Sequence, residues 1–319
     1  MRWNGSCVPL KPQCRRGRRR SPCVESRQAL ATVLSPKDFA TATPSWWCAG
    51  CGDFGVLASL KQACADLALK PKDVAFISGI GCSGKISGYL HSYAFHGVHG
   101  RALPTATAVK LANTDLTVIV AGGDGDGYAI GAGHFLHAVR RNPNMTYIVM
   151  DNQTYGLTKG QSSPTSALGF KAGPHPDGNP DAPINGLAIA LAAGGTFVAR
   201  GFSSEPKAMT EMIKEAVRHP GFAVVEVISP CVTFNKVNTY KWFKENVYHV
   251  GEAGDYDVHD RNKAFSTLAE PGKIPLGIFY RELRPTLEAL TLGTAHEPIN
   301  SLPIETVDPR LPALQDAYA

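Results

Sequence analysis

The chain has 319 residues, of which 44% are hydrophobic and 18% charged, a balance that is typical of globular proteins and excludes wholesale disorder. Its net charge of +5 is concentrated at the amino end, because residues 1–35 contain eight Lys or Arg and one acidic residue, whereas the rest carries 24 basic and 26 acidic side chains. The near-neutral body predicts no nucleic-acid binding. The longest apolar run, residues 187–199, contains two glycines and is too short to span a membrane.

The basic amino-terminal arm, residues 1–35, has no apolar periodicity, and we expect it to be disordered. Its composition is compatible with a nucleic-acid-binding tail, an organelle transit segment or a translated stretch upstream of the natural start. No apolar signal-peptide core precedes the body, so we expect a reducing, cytoplasmic location. In such a compartment, clustered cysteines indicate metal or redox chemistry before disulfides.

Beyond the arm, the apolar pattern alternates between helical and extended periods. Helices are predicted over residues 56–69 and 205–219, and buried strands over 73–78, 116–121, 146–150 and 223–228, with a further helix after the second strand to about residue 141. Strands separated by helices predict an α/β domain over residues 36–250, a parallel sheet with helices on both faces. We expect residues 251–319 to be a C-terminal extension that contacts a partner. The aperiodic segment 162–186 is long enough to predict a functional or disordered loop.

Polar or glycine-rich residues follow each predicted strand. The first residues after the four strands are, in chain order, Gly79, Gly122, Asp151 and Ser229. Because the carboxyl ends of parallel strands meet at one edge of a sheet, where ligands bind, these segments should lie together. The sequence therefore predicts one site that collects two cysteines, several acids, an amide and two glycine-rich turns.

The turn after the second strand reads Gly-Gly-Asp-Gly-Asp-Gly at residues 122–127 and opens a predicted helix, whose free amides suit a phosphate. Asn152 lies at the end of the next strand, so a carboxylate and an amide can share a hard cation such as Mg²⁺. This pairing resembles the diphosphate-anchoring signature of thiamine diphosphate enzymes. The predicted magnesium ligands are the side chains of Asp124 and Asn152 and the carbonyl of Thr154, and the alternative is a purely structural turn.

Cys48 and Cys51 form a Cys-Ala-Gly-Cys pair, which alone fits a zinc half-site, a redox pair or an iron–sulfur half-site. Zinc sites usually bring a second closely spaced pair, whereas the partners available here are the single cysteines Cys82 and Cys231 at the predicted sheet edge. Four dispersed thiolates fit a 4Fe–4S cluster best. Cys64 differs, because it lies on the apolar stripe of the first helix and is predicted to be a core residue.

Five motifs in this order resemble the beta subunit of the 2-oxoacid:ferredoxin oxidoreductases, most closely the two-subunit type of archaea. They are Trp-Cys-Ala-Gly-Cys-Gly-Asp-Phe-Gly from residue 47, Gly-Ile-Gly-Cys-Ser-Gly-Lys from 79, His-Gly-Arg from 99, Gly-Gly-Asp-Gly-Asp from 122 and Asp-Asn-Gln-Thr-Tyr-Gly-Leu-Thr-Lys-Gly-Gln-Ser-Ser-Pro-Thr from 151. The resemblance covers residues 45–250 and resumes at 274–280. Two departures are Ala49, where the family usually has proline, and the arm, which has no counterpart.

The resemblance implies coenzyme A-dependent oxidative decarboxylation of 2-oxoacids, such as pyruvate or 2-oxoglutarate, with electrons passed to ferredoxin. It implies thiamine diphosphate, Mg²⁺ and a 4Fe–4S cluster, the last held by Cys48, Cys51, Cys82 and Cys231. Lys85 and Lys159 match positions that face the substrate carboxylate, although either is equally compatible with a surface charge. The residues that match the lining of thiamine diphosphate are Ile80, Gly81, Cys82, Ser83, His99, Gly125, Asp126, Gly156 and Leu157.

The predicted chain contains one α/β domain, whereas thiamine enzymes activate their cofactor through a carboxylate on a separate pyrimidine-binding domain. The resemblance therefore implies an alpha subunit that supplies this domain, and an obligate hetero-oligomer. The rival interpretation is a non-redox thiamine diphosphate-dependent decarboxylase with a structural four-cysteine zinc site.

Overall fold

The computed structural model describes residues 34–252 and 254–292. The arm predicted over residues 1–35 lies outside the described residues, apart from its last two positions. The strands are β1 Val74–Ser78, β2 Tyr93–His96, β3 Thr117–Gly123, β4 Met145–Asp151, β5 Phe197–Phe202, β6 Phe222–Ile228, β7 Val247–His249 and β8 Ile274–Arg281. The α-helices are α1 Asp53–Asp66, α2 Ala102–Ala112, α3 Ala132–Arg141, α4 Gly186–Ala192, α5 Pro206–Arg218, α6 Tyr240–Asn246, α7 Arg261–Ala269 and α8 Leu287–Leu292.

The eight strands form one sheet in the order β2-β1-β3-β4-β6-β5-β8-β7. Neighbouring strands run parallel except β5 and β8, which are antiparallel. The predicted α/β fold is confirmed, with the correction that the sheet is mixed, as is common when an otherwise parallel sheet gains an antiparallel strand near its edge. The domain boundary predicted at residue 250 falls inside this sheet, because β8 follows it in the chain.

Helices cover both faces of the sheet, and each face has its own apolar core. On β4, Ile148 and Met150 point to the face that α1 and α5 cover, whereas Tyr147 and Val149 point to the face covered by α2, α3, α4 and α7. This alternation follows from the two-residue period of a strand. A strand buried on both faces reads as a continuous apolar run, which is why the sequence predicts β1, β3, β4 and β6 correctly.

The apolar run at residues 187–199 divides into two elements, α4 and the first half of β5. Gly194, with φ of +85°, lies between them in a left-handed conformation that glycine adopts without strain. None of the helices in the part of the chain that the structure describes is long and apolar enough to cross a membrane.

The carboxyl ends of β1, β3, β4 and β6 lie side by side, since these strands are consecutive in the sheet. The segments after them, which begin at Gly79, Asp124, Asn152 and Ser229, therefore share one edge. This is the arrangement predicted from the strand order, and it builds the candidate site.

Candidate active site

A cavity of about 90 Å³ lies at this edge, between the segments that follow β1, β3 and β4. Three lining residues, Gly123, Tyr155 and Thr158, are not among the residues singled out from the sequence. All the others are positions that the motifs predict for thiamine diphosphate or magnesium: Ile80, Gly81, Cys82, Ser83, His99, Asp124, Gly125, Asp126, Asn152, Thr154, Gly156 and Leu157. The structure thus brings the predicted cofactor and magnesium residues together in one place.

Asp124 lies at the end of β3 and is buried, with 2% of its surface exposed. Its Oδ2 accepts hydrogen bonds from the hydroxyls of Ser163 and, at 2.6 Å, of Thr165. No Lys, Arg or His in the described ranges forms an ion pair with it. Burial without a cation raises the pKa of Asp124, since the charged form is poorly solvated. A divalent cation fits this carboxylate, because it supplies the missing positive charge.

The other predicted magnesium ligands face the same cavity from the segment after β4. Asn152 Oδ1 accepts a hydrogen bond from the Thr154 amide at 3.1 Å, which fixes a tight turn. The Thr154 hydroxyl donates to the Gln161 carbonyl at 2.9 Å, so this turn is tied to the start of the long loop. Oxygen atoms of a carboxylate, an amide and a carbonyl are the ligand types that Mg²⁺ takes from proteins.

Asp126 has a different role, because its Oδ1 is already occupied by hydrogen-bond donors. The amides of Ile80 and Gly100 donate to it at 3.0 and 2.8 Å, and His99 Nδ1 donates at 2.8 Å. A Cβ on Gly79 would lie 1.8 Å from Asp126 Oδ2, so only glycine fits there. Asp126 therefore joins three segments, and by fixing the proton of His99 on Nδ1 it leaves Nε2 free as an acceptor.

The loop predicted over residues 162–186 provides part of the site. Its residue Thr165 donates to Asp124 Oδ2 at 2.6 Å or to Asp151 Oδ1 at 2.7 Å, and one hydroxyl proton cannot serve both acceptors at once. Burial and the nearby charge of Asp124 raise the pKa of Asp151 well above its usual range. Ser163 and Thr165 were not predicted as site residues, although both stand at the end of the motif that begins at Asp151.

The four predicted cluster ligands, Cys48, Cys51, Cys82 and Cys231, are free cysteines, with Cys48 exposed and the others partly buried. A Cβ on Gly156 would lie 3.4 Å from Cys82 Sγ and 3.6 Å from Cys231 Sγ, so the missing side chain leaves space between these sulfurs. Burial, followed by the charge of Asp53, raises the pKa of Cys51, and the same causes raise the pKa of Cys82 to about 11. Thiolates at these positions therefore need a metal to balance their charge.

In the described ranges, no group of three or more His, Cys, Asp or Glu side chains lies close enough to hold a single metal ion. Cys64 lies on α1 and is 1% exposed within the apolar core, as predicted.

Two hydrogen bonds connect the segment that carries Cys48 and Cys51 to the segment that carries Cys231. Ser229 donates to Asp53 Oδ1 at 2.6 Å, and the Gly52 amide donates to the Pro230 carbonyl at 3.2 Å. Asp53 Oδ2 has no hydrogen-bond partner among the described residues, and burial raises the pKa of this carboxyl to about 6. These contacts hold the turn at residues 48–51 against Cys231, and neither Asp53 nor Ser229 was predicted.

Lys85 and Lys159, the candidates for the substrate carboxylate, do not line the cavity but belong to the turns that build it. The Lys85 amide donates to the Cys82 carbonyl at 3.2 Å, and the Lys159 amide donates to the Gly156 carbonyl at 3.1 Å. Lys159 is exposed and has φ of +78°. A backbone conformation that is unfavourable for a lysine is a common feature of functional sites.

Two protein-family models match the chain. The model of the thiamine pyrophosphate enzyme C-terminal TPP binding domain matches residues 79–227, the segment that contains the cavity. The model of the C-terminal part of the pyruvate ferredoxin oxidoreductase beta subunit matches residues 231–295, from Cys231 through β8.

Curated proteins with similar sequences include two archaeal subunits. The 2-oxoacid:ferredoxin oxidoreductase subunit beta of Sulfolobus sp is 45% identical over 78% of this chain and 87% of its own length. The 2-oxoacid:ferredoxin oxidoreductase 2, subunit beta, of Aeropyrum pernix is 46% identical over 76% of this chain and 82% of its own length.

A bacterial relative and a solved structure agree with them. The 2-oxoglutarate oxidoreductase subunit KorB of Mycobacterium tuberculosis is 44% identical over 67% of this chain and 58% of its own length. The 2-oxoglutarate:ferredoxin oxidoreductase from Magnetococcus marinus, solved with 2-oxoglutarate, coenzyme A and succinyl-CoA bound, superposes with a TM-score of 0.80 at 41% identity, over 88% of this chain and 96% of that chain. The predicted family is confirmed: the chain belongs to the beta subunits of the 2-oxoacid:ferredoxin oxidoreductases.

Proposed function

We propose that this chain is the cofactor-binding beta subunit of an enzyme that converts a 2-oxoacid and coenzyme A to an acyl-CoA, carbon dioxide and a proton. The two electrons released by this oxidation reduce two molecules of ferredoxin, one electron each. The observation that carries the proposal is that Cys82 and Gly156 line the cofactor cavity and also border the four-cysteine site. A carbon centre and a one-electron acceptor placed this close fit an oxidative rather than a simple decarboxylation.

Asp124, Asn152 and Thr154 are proposed to hold the Mg²⁺ that binds the diphosphate of thiamine diphosphate. Their support is the uncompensated, buried carboxylate of Asp124 and the oxygen donors beside it. Thiamine diphosphate, when bound, supplies the electron sink that lets carbon dioxide leave. The residues of this chain orient it: Asp126 holds His99 and the turn at Ile80 against the cavity.

The cluster is proposed to be bound by Cys48, Cys51, Cys82 and Cys231. Each of these cysteines lies in a turn that another segment fixes, as the Asp53–Ser229 hydrogen bond does for the first pair and for Cys231. Burial raises the pKa of Cys51 and Cys82, and a metal bound to them would supply the positive charge that their thiolates lack in this surrounding.

The substrate is proposed to be a 2-oxoacid whose carboxylate is bound by Lys85 or Lys159. Both lysines lie in turns that contribute lining residues to the cavity, Lys85 beside Cys82 and Lys159 beside Leu157 and Thr158. Several relatives are named for 2-oxoglutarate, and the Magnetococcus marinus structure contains 2-oxoglutarate and coenzyme A. A cation next to the cavity is the simplest device for orienting such an acid.

An alpha subunit is proposed to complete the site. The cavity of about 90 Å³ is smaller than the pockets of about 300–1,000 Å³ that enclose whole ligands, so this chain encloses only part of the cofactor. Leu157, which lines the cavity, is exposed, as is Val98 beside the lining residue His99. Exposed apolar side chains that cluster mark protein interfaces. We call these two residues, together with Ile130, which lies against Gly100, and Tyr93 and Phe95 on β2, the apolar rim.

The iron content of the anaerobically purified chain tests the proposal. We expect a brown protein with about four irons per chain, and loss of this iron in Cys231→Ser. Cys64→Ala is the matched control, because Cys64 is a core cysteine whose replacement should leave iron binding intact. Stoichiometric zinc without iron would contradict the proposal and favour a non-redox decarboxylase.

A further inference from the structure

The four-cysteine site reaches the protein surface at one point. Cys48 is exposed, whereas Cys51, Cys82 and Cys231 are partly buried. Trp46, two residues before Cys48, is 74% exposed, which is unusual for a tryptophan. Cys48 is therefore the cluster position that is most accessible to an electron carrier.

A set of lysines borders this opening on the segment after β6. Lys236 Nζ donates to the Val232 carbonyl, and a Val232 methyl would lie 3.8 Å from a Cβ on Gly50, between the first two cysteines. The helix α6 begins at Tyr240, whose ring stacks on Phe202 at a centroid distance of 6.1 Å. The residue after Phe202, Ser203, lies against Gly55 at the start of α1, so α6 also starts near the segment that carries Cys48 and Cys51.

The exposed charges of this segment are mostly positive. Between residues 231 and 249 there are three lysines, Lys236, Lys241 and Lys244, and one acidic residue, Glu245. All three lysines are exposed, and Val237 between them is 62% exposed. We call Lys236, Lys241, Lys244 and Val237 the lysine patch. It combines positive charge with an exposed apolar side chain on the segment whose Val232 lies against Gly50, between Cys48 and Cys51.

We propose that the lysine patch is the docking surface for the acidic iron–sulfur carrier that accepts the electrons, an inference that rests on the proposed function. In each docking event the reduced cluster loses one electron and the carrier gains it, so two events follow each 2-oxoacid oxidised. Transient redox complexes use small interfaces, and complementary charge raises their rate of association. A small patch of exposed lysines on the segment beside the first cysteine pair provides both features.

The lysines of the patch and the apolar rim lie on different segments of the sheet. Tyr93 and Phe95 of the rim belong to β2, the strand at one edge of the sheet, whereas the patch follows β6 and leads to β7 at the opposite edge. A carrier bound at the lysine patch therefore need not cover β2.

The test uses the complex with its alpha subunit and a recombinant acidic ferredoxin as the probe. In the double variant Lys236→Glu/Lys241→Glu, the dissociation constant for ferredoxin should rise at least tenfold at low ionic strength. The affinity should also depend less on salt concentration, because salt screens the charges that the variant has lost. Reduction of a viologen dye by 2-oxoacid and coenzyme A should be unchanged. The control is Lys72→Glu, an exposed lysine at the amino end of β1, on the other edge of the sheet.

Zero-length carbodiimide cross-linking gives a second measurement, with Lys236 or Lys241 expected in the cross-linked peptides. Unchanged ferredoxin affinity in the double variant would overturn the docking surface and leave the proposed function standing. Loss of the alpha subunit from the purified variant, with ferredoxin affinity intact, would assign the patch to that subunit instead. Failure of the unmodified complex to reduce the dye in a coenzyme A-dependent way would overturn the proposed function itself.

Discussion

Two carboxylates of one turn, Asp124 and Asp126, show how neighbouring residues take different tasks. Asp126 Oδ1 is satisfied by three donors and can only hold the surrounding segments in place. Asp124 is buried with hydroxyl donors alone, so its charge is available for a cation. The sequence alone does not separate these roles, because both residues lie in the same glycine-rich turn.

Replacing Asp124 should abolish binding of thiamine diphosphate that depends on Mg²⁺. In Asp124→Ala the proposed magnesium site loses its only carboxylate, and a hard cation that bridges a diphosphate binds poorly without it. Calorimetric titration of the variant with thiamine diphosphate and Mg²⁺ measures this loss, and the iron content should not change. Asp115→Ala is the control, an exposed aspartate just before the other end of β3. Unchanged affinity in Asp124→Ala would remove Asp124 from the site.

The residues of the cavity were predictable from the sequence because their motifs are local turns at strand ends. The roles of Ser163, Thr165, Asp53 and Ser229 were not, because each acts on a residue far away in the chain, although the first three stand in the quoted motifs. The hydrogen bond between Asp53 and Ser229 spans 176 positions, and that between Thr165 and Asp124 spans 41. Polar residues in loops carry no periodic pattern, so only the folded chain reveals such pairs.

At the scale of secondary structure, β8 is the main departure from the predicted arrangement. It pairs with β5 in antiparallel orientation and buries Phe279 in the core beneath α7. Its short apolar pieces, separated by prolines, indicate an extension rather than a strand when they are read without their neighbours. The strands β1, β3, β4 and β6 are central and buried on both faces, which gives them a clear signal in the sequence.

If β8 is part of the core, truncation of Phe279 should destabilise the protein. Phe279→Ala removes a fully buried aromatic ring and should lower the free energy of unfolding by about 3–5 kcal/mol. Leu283→Ala, just after the strand, should change it by less than about 0.5 kcal/mol because that side chain is 77% exposed. Urea titration of the purified chain compares the two. Equal effects would mean that β8 is not held in the sheet.

The end of α5 should make stability depend on pH. His219 is buried, and its Nε2 lies 2.9 Å from Thr196 Oγ1. Burial lowers the pKa of His219 to about 4, from 6.5 in an unfolded chain. Between these values the unfolded state binds more protons, so the free energy of unfolding should fall as the pH decreases from about 6.5 to about 4.

Urea titrations across this pH range measure the free energy of unfolding. As the pH falls, this free energy should decrease less in His219→Asn than in the unchanged chain. His137→Asn, at an exposed position on α3, is the control and should keep the original slope. If the free energy of unfolding depends on pH equally in His219→Asn and in the unchanged chain, the pKa of His219 does not differ between the folded and unfolded states, and the prediction is wrong.

At the scale of the whole molecule, we propose that the chain is one half of a catalytic site. Its sheet edge is proposed to provide the groups for diphosphate, magnesium and cluster around a cavity of about 90 Å³. The family, the fold class and the cavity residues were predicted from ordered motifs and are consistent with the structure and the relatives. The carboxylate that activates the cofactor is proposed to lie on the alpha subunit.

Reconstitution with the alpha subunit tests most directly whether the active site is formed by two different subunits. The purified chain is assayed anaerobically with 2-oxoacid, coenzyme A and ferredoxin, first alone and then with the alpha subunit. We expect no significant turnover by the chain alone and ferredoxin reduction once the partner is added, since loss of a positioned acid–base group costs about a hundred- to ten-thousand-fold in rate. Full turnover by the isolated chain would contradict this expectation, because the pyrimidine side would then be built from a second copy of the same chain.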